Sequence, residues 1–131
     1  MQYKFSYNNV RISPRKVRLV TNLAKSLKPE EALLQLKFLT KNAATPVREL
    51  INSGVSYCKE QGIDIKDLKI ASITCDEGPA LKRRRFKSKG RAHAIKKRTS
   101  HINLVLEVIK DKKISPKTSV SKKDVIGKKD K

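Results

Sequence analysis

Apolar and polar residues alternate along three stretches of the chain, as they do in strands that bury one face. The first stretch is short and carries Tyr3, Phe5 and Tyr7 at every second position. The second covers residues 68–76 and the third covers residues 101–109. The pattern therefore predicts three strands, one at the start of the chain and two in its second half.

The alternation also assigns an inward face to each later strand. In the second strand we expect Ala71, Ile73 and Cys75 to point inward, with the polar residues between them facing out. In the third strand the inward set is Ile102, Leu104, Leu106 and Val108.

The aromatic stripe of the first strand has two interpretations. It is either a platform on which RNA bases stack or a row of rings that packs beneath helices. The glycine-flanked aromatic pair of RNA-recognition sheets is absent from the chain. We therefore favour the core interpretation.

Between the first two strands, apolar positions recur with a helical period and predict three helices. Ser13 is placed to cap the first helix and Pro14 to occupy its first position. The second helix is predicted over residues 29–39. The third begins between residues 41 and 45 and ends near residue 60, because Gln61 and Gly62 interrupt the pattern. The inward positions are Val17, Val20, Ala24 and Leu27, then Ala32, Leu33 and Leu36, then Ala43, Val47, Leu50, Ile51, Gly54 and Cys58.

A block of positive charge separates the last two strands. Residues 82–98 hold ten Lys or Arg in seventeen positions, and no acidic residue occurs between Glu77 and Glu107. Strand patterns on both sides predict a long β-hairpin, with its turn near Ser88, Lys89 and Gly90. Like charges facing each other across two strands repel, so this hairpin needs a polyanion to become ordered.

A second basic cluster lies at the start of the first helix. Arg11, Arg15, Lys16 and Arg18 stand where the positive end of the helix dipole disfavours cations. The second helix instead begins with two glutamates. We interpret the misfit as a surface that faces phosphate, the alternative being an ordinary solvated basic face.

Composition agrees with a nucleic-acid partner. The net charge is +20 on 131 residues, and the sequence pI is about 10.3. Such a balance is typical of proteins that bind a phosphate backbone. No long apolar run and no signal-peptide pattern occur, so we expect no membrane segment and no export. We expect Cys58 and Cys75 to be buried free thiols, and no zinc site.

Composition changes again beyond residue 110. Residues 111–131 are rich in Lys and Ser and poor in apolar residues, so we predict a disordered tail. Eight of the nine arginines lie in the hairpin or near the first helix, and none lies in the tail. Because arginine makes bidentate phosphate contacts and lysine acts as a point charge, the hairpin and the helix start are the predicted structured contacts.

Several motifs resemble one family. The run Arg-Ile-Ser-Pro-Arg-Lys-Val-Arg-Leu-Val at 11–20, the segments 31–38 and 41–47, and the run Asp-Glu-Gly-Pro-Ala-Leu-Lys-Arg at 76–83 are similar to large-subunit ribosomal protein twenty-two. Residues 90–92 and 97–102 continue the resemblance. The family usually has proline where this chain has Phe86, and often an aromatic or aliphatic residue where it has Arg84.

The resemblance implies an α+β fold: three helices packed on a small antiparallel sheet, with a long protruding basic β-hairpin. Residues 1–110 would form the globular rRNA-binding domain, with the hairpin at about 77–103. By position, the resemblance assigns RNA contacts to Arg11, Ser13, Arg15, Lys16, Arg18, Lys82, Arg83, Arg84, Gly90, Arg91, Arg98, Thr99, Ser100 and His101. The charge of the block adds Arg85, Lys87, Lys89, Lys96 and Lys97.

The resemblance also implies the partners. They are the large-subunit rRNA, neighbouring ribosomal proteins at the peptide exit tunnel, and the nascent peptide that passes the hairpin tip. We expect no cofactor, no metal, no membrane partner and no homo-oligomer. The expected location is the ribosome of a bacterial cytoplasm, with a plastid or other organelle as the alternative.

Other classes of function fit the chain less well. A ribonuclease built on His93, His101 and Lys97 would need a fixed geometry, and neither histidine has an acidic neighbour in the hairpin sequence. An architectural protein that inserts a basic ribbon into a DNA groove usually dimerises through an apolar face, and no surplus apolar face is evident. A membrane-active segment would need large apolar residues interleaved with its charges. We therefore predict a non-enzymatic RNA-binding protein.

Overall fold

A computed structural model of the chain describes residues 1–109. Residue 110 and the tail predicted at 111–131 lie outside the described residues. The elements in chain order are β1 (Gln2–Val10), α1 (Pro14–Lys25), α2 (Pro29–Phe38), α3 (Ala44–Glu60), β2 (Leu68–Glu77), β3 (Leu81–Phe86), β4 (Ala92–Lys97) and β5 (Ser100–Val108), with short 3-10 turns at Ile65–Asp67 and Ser88–Gly90. No helix within residues 1–109 is long and apolar enough to cross a membrane.

Three helices pack on a three-stranded antiparallel sheet, as the fold class predicted. The strand order is β1-β5-β2, which places β5 in the centre. Ile102, Leu104 and Leu106 of β5 have no solvent exposure. Their alternation predicted this face correctly, because the central strand of a sheet covered by helices buries one whole side.

Helix α3 approaches this sheet closely at Gly54. A Cβ added at Gly54 would stand 3.0 Å from Leu106 Cδ1 and 3.2 Å from the ring of Phe5. Glycine in mid-helix therefore lets the helix approach the strands. On the same helix, the ring of Tyr57 meets Tyr3 and Phe5 edge-on, at centroid distances of 5.9 and 5.7 Å.

These contacts decide between the two interpretations of the aromatic stripe. Tyr3 and Phe5 pack beside the core cluster and against α3, which agrees with the core interpretation. Tyr7 is 39% exposed and does not follow it. The register of β1 shifts between Tyr7 and Val10, where Asn9 adopts a φ of 59°. This irregularity carries the end of β1 out of the simple alternation.

The inward face predicted for β2 is wrong at Ala71. The register shifts between Ile70 and Ser72, which leaves Ala71 as the extra residue of a β-bulge. Ile70 is buried before the bulge and Ile73 after it. A bulge shifts the alternation by one residue. Even-numbered residues of β2 therefore point inward before the bulge, and odd-numbered residues point inward after it.

The sequence pattern predicted one continuous long hairpin between the two later strands. In the structure the pairing is interrupted. β2 pairs with β5 as far as Glu77 and Ser100, and pairing resumes between Leu81 of β3 and Lys97 of β4. Three residues lie between these pairs on one side and two on the other, so the ladder cannot stay in register. β3 and β4 therefore form a second sheet. Residues 81–97 are called the ribbon below.

Candidate nucleic-acid interface

A groove of about 900 Å³ lies where the base of the ribbon meets the starts of two helices. Three segments line it: residues 11–19 around the start of α1, residues 41–43 before α3, and the ribbon base from Leu81 and residues 96–99. Segments distant in the sequence thus converge on one concave surface.

The groove is strongly basic and has an apolar lining between its charges. None of its lining residues is acidic, and the apolar contribution comes mainly from Ile12, Leu19 and Leu81. The six cations around it are Arg11, Lys16, Lys41, Lys96, Lys97 and Arg98. Clustered like charges favour an anionic ligand, since its phosphates would relieve their repulsion.

One of these cations has an acidic neighbour at the groove's edge. Arg98 lies 3.6 Å from the carboxylate of Glu77, and both side chains are more than half exposed, at 51% and 62%. An exposed pair of this kind contributes about 0–1 kcal/mol. Arg98 therefore remains available to exchange this carboxylate for a phosphate.

Both helices that begin at the groove lack an acidic residue in the first turn. The second helix, which begins elsewhere, has Glu30 and Glu31 there. Ser13 occupies the N-cap of α1 as predicted, but its hydroxyl makes no capping bond. The helix starts are therefore left without a negative charge of their own, which suits an anion brought by a partner.

Two hydroxyls predicted to touch RNA make internal hydrogen bonds. Ser100 is fully buried and donates to the carbonyl of Ile12 at 3.0 Å. Thr99 is 8% exposed and donates to the carbonyl of Pro79 at 2.7 Å. The first bond holds the segment before α1 against β5, and the second closes the ribbon base. Both hydroxyls thus help to position the walls of the groove; Thr99 also lines it, whereas Ser100 has no exposed surface.

His101 is likewise part of the internal structure. Its Nδ1 accepts the backbone N–H of Asn9 at 3.3 Å. Asp76 lies directly opposite it on β2, so His101 has a cross-strand acidic neighbour that the hairpin sequence alone does not reveal. The carboxylate of Asp76 accepts a hydrogen bond from Asn103 at 2.9 Å. His93 lies in the ribbon, in the other sheet.

The basic cluster of α1 divides between two faces. Arg11, Ser13 and Lys16 line the groove, whereas Arg15 and Arg18 are not among its lining residues within the described chain. Arg18 donates through Nε to the carbonyl of Cys75 at 3.2 Å, which links α1 to β2. These cations are close in the sequence, but the structure directs them to different faces.

Beyond the groove, the ribbon continues the positive surface. Every residue from Leu81 to Ala94 is exposed. Lys82 and Lys96 lie directly opposite each other, so like charges face across the strands as expected. The predicted turn forms at Ser88–Gly90, where Lys89 has a φ of 59° and Gly90 a φ of 66°. The exposed predicted contacts here are Lys82, Arg83, Arg84, Arg85, Lys87, Lys89, Gly90 and Arg91.

The sequence did not identify Lys41 and Asn42 as site residues. They stand in the connection between α2 and α3 and line the groove opposite the ribbon base. A lysine just before a helix whose first turn has no acidic residue was the available signal. The start of α1 combines cations with a first turn that lacks acidic residues in the same way.

The cysteines lie away from this chemistry. Cys58 and Cys75 are free and buried, as predicted. Burial raises the pKa of both thiols, and for Cys75 a side-chain hydrogen bond with Ser100 and the charge of Arg18 partly oppose that rise. Within residues 1–109, no group of three or more His, Cys, Asp or Glu side chains could hold a metal ion.

Comparison with known proteins gives consistent matches over most of the chain. The family model for ribosomal protein L22p/L17e matches residues 5–107. The large ribosomal subunit protein uL22 of Desulfatibacillum aliphaticivorans is 40% identical over 107 residues, which cover 82% of this chain and 99% of that protein. The protein of the same name from Syntrophotalea carbinolica is 43% identical over 107 residues, covering 81% of this chain and 97% of that protein. The matched range includes the whole ribbon and all three segments of the groove.

Proposed function

Because this chain belongs to the ribosomal protein L22p/L17e family, we propose that it binds large-subunit rRNA through the groove and the ribbon. Membership makes it a protein of the large ribosomal subunit. The RNA contact itself is the proposal. The observation that carries it is the groove lined by six cations and no acidic residue.

The groove suits a folded RNA backbone. Phosphate contacts position a protein on nucleic acid, and lysine and arginine are their usual source. Its cations come from three segments, so an RNA strand seated there would hold the ribbon base and both helix starts together. The apolar residues between the charges offer a surface for sugar and base edges.

We propose that the ribbon reaches into the RNA of the subunit and lines the path of the nascent peptide. The support is the family resemblance and the exposure of the ribbon. Its strands have six residues each, so at ~3.3 Å per residue the paired part is roughly 20 Å long. Neighbouring ribosomal proteins at the tunnel and the passing peptide are the further partners we propose. We propose a structural role, without catalysis and without a homo-oligomer, in the ribosomes of a bacterial cytoplasm or an organelle.

The salt dependence of RNA binding tests the groove. Affinity for large-subunit rRNA transcribed in vitro should fall steeply with salt, with a slope of about 0.7–0.9 for each phosphate contact. Lys16→Gln and Lys41→Gln should each flatten the slope by about one contact. Fluorescence anisotropy across a salt series measures both the affinity and the slope.

Lys59→Gln is the matched control. Lys59 lies in the last turn of α3, sixteen residues after the groove residue Ala43, which is ~24 Å along a helix. Its replacement should leave the slope unchanged. If the two groove variants and the control gave the same slope as the parent chain, the groove would not be the RNA site.

A further inference from the structure

The two faces of the ribbon differ, and the difference concerns Phe86. Residues directly opposite in an antiparallel pair project to the same face, and successive residues alternate between faces. Phe86 therefore shares a face with Ala92 opposite it, and with Arg84 and Ala94 one step along. The other face carries larger neighbours, because Arg83 lies opposite Ile95 and Arg85 opposite His93.

On the first face, the phenyl ring is left uncovered. Phe86 is 78% exposed, although it belongs to a strand. The side chains across from Phe86 and Arg84 are methyl groups, which are too small to shield a ring or a guanidinium. Within residues 1–109 the recorded ring pairs involve only Tyr3, Phe5 and Tyr57. The ring and the guanidinium thus project beyond the two small side chains on this face, Ala92 and Ala94, which are called the alanine floor below.

A planar ligand with a negative charge matches this arrangement. An aromatic ring stacks on nucleobases without regard to their sequence, and arginine adds phosphate or cation–π contacts. A peptide would meet the surrounding cations with no fixed complementary charge, whereas every nucleotide carries one. A base paired inside a duplex has no free face, so the ligand is an unpaired nucleotide.

We propose that Phe86, Arg84, Ala92 and Ala94 form a ledge that binds one unpaired nucleotide of RNA. The base stacks on Phe86 over the alanine floor, and its phosphate pairs with Arg84. The proposal rests on the proposed RNA-binding function and adds a site within it. The ledge would fix the ribbon's orientation inside a folded RNA, at the end farthest from the groove.

Binding of the full-length chain to two RNA probes tests the ledge. One probe is a single-stranded octanucleotide with 2-aminopurine, and the other is a duplex of the same length. Phe86→Ala should weaken binding to the single strand by roughly 5- to 150-fold and remove the quenching of 2-aminopurine. Phe86→Tyr should retain both. The salt slope should stay unchanged in Phe86→Ala, because the ring carries no charge.

Phe38→Ala is the matched control, since Phe38 is 79% exposed but lies at the end of α2. Equal weakening by Phe38→Ala, or equal loss on the duplex, would overturn the ledge, as would unchanged binding by Phe86→Ala. In those cases the parent chain would still bind RNA with a steep salt slope. Failure of the parent chain to show that slope would instead contradict the proposed function.

Discussion

Replacing Gly78 with alanine should loosen the junction between the ribbon and the sheet. A Cβ added at this position would lie 2.5 Å from the hydroxyl oxygen of Thr99 and 2.9 Å from Nε2 of His101. Real Cβ atoms essentially never come this close to other heavy atoms, so a neighbour must move. The φ of Gly78 is not in the left-handed region, which means that the cost is steric.

The magnitude follows from what must move. If Thr99 turns away, its hydroxyl loses the 2.7 Å bond to Pro79. If His101 turns, its 3.3 Å bond from Asn9 is lost. Each hydrogen bond contributes about 0.5–1.5 kcal/mol, and crowding a well-packed site costs about 1–3 kcal/mol. We expect Gly78→Ala to lower the free energy of unfolding by about 2 kcal/mol.

Thermal unfolding of the full-length chain, followed by circular dichroism, measures the loss. A change of about 2 kcal/mol corresponds to a decrease in Tm of roughly 8–16 °C for a domain of this size. Thr99→Ala provides the internal control, because it removes the closest clashing atom. The double variant should be less destabilised than the two single changes added together. Strict additivity, or a Gly78→Ala variant that melts like the parent chain, would refute the reasoning.

Two further predictions concern the core. Gly54→Ala gains about 1 kcal/mol of helix propensity, but its Cβ crowds Leu106 and Phe5 at a cost of about 1–3 kcal/mol. Urea denaturation should therefore show a lower free energy of unfolding. A clear increase would mean that the helix can move outward. Cys58 and Cys75 should react with a thiol reagent only as the chain unfolds, and rapid reaction of the native chain would contradict their burial. Burial raises the pKa of both thiols. The stability that the protonated thiols contribute is therefore complete below the ordinary thiol pKa and is lost as alkaline pH ionises them.

Periodic patterns predicted the elements whose environment is uniform along their length. β5 is central and buried on one side throughout, so its alternation gave the correct face. The stripe of α3 included most of its buried residues, among them Gly54, where the helix approaches the sheet. For β5 the helices on one side determine which positions are apolar, and for α3 the sheet and α2 together do so.

Irregularities set by pairing could not be predicted from one strand. Apolar residues in β2 occur at both parities, at Ile70, Ala71 and Ile73, so the alternation alone cannot place a one-residue shift. The bulge becomes visible only when β5 fixes the register. The break between the two sheets has the same origin, since it follows from unequal numbers of residues on the two strands.

Charge in the sequence predicted which segments carry the candidate site, and tertiary contacts decide which side chains are exposed there. Charge density identified the ribbon and the start of α1. Lys41 joins this surface only through the fold, and the side chain of the predicted contact Ser100 is fully buried. A hydroxyl that binds RNA and one that binds a buried carbonyl look alike in sequence.

Cross-linking within the assembled particle tests the central claim most directly. Large ribosomal subunits that contain this chain would be irradiated, digested with nuclease and protease, and searched by mass spectrometry for peptides that carry nucleotides. The account predicts RNA adducts in residues 11–19, 41–43 and 81–98, the segments of the groove and the ribbon. Adducts confined to the region of Lys59 and Lys66, with none in those segments, would contradict it.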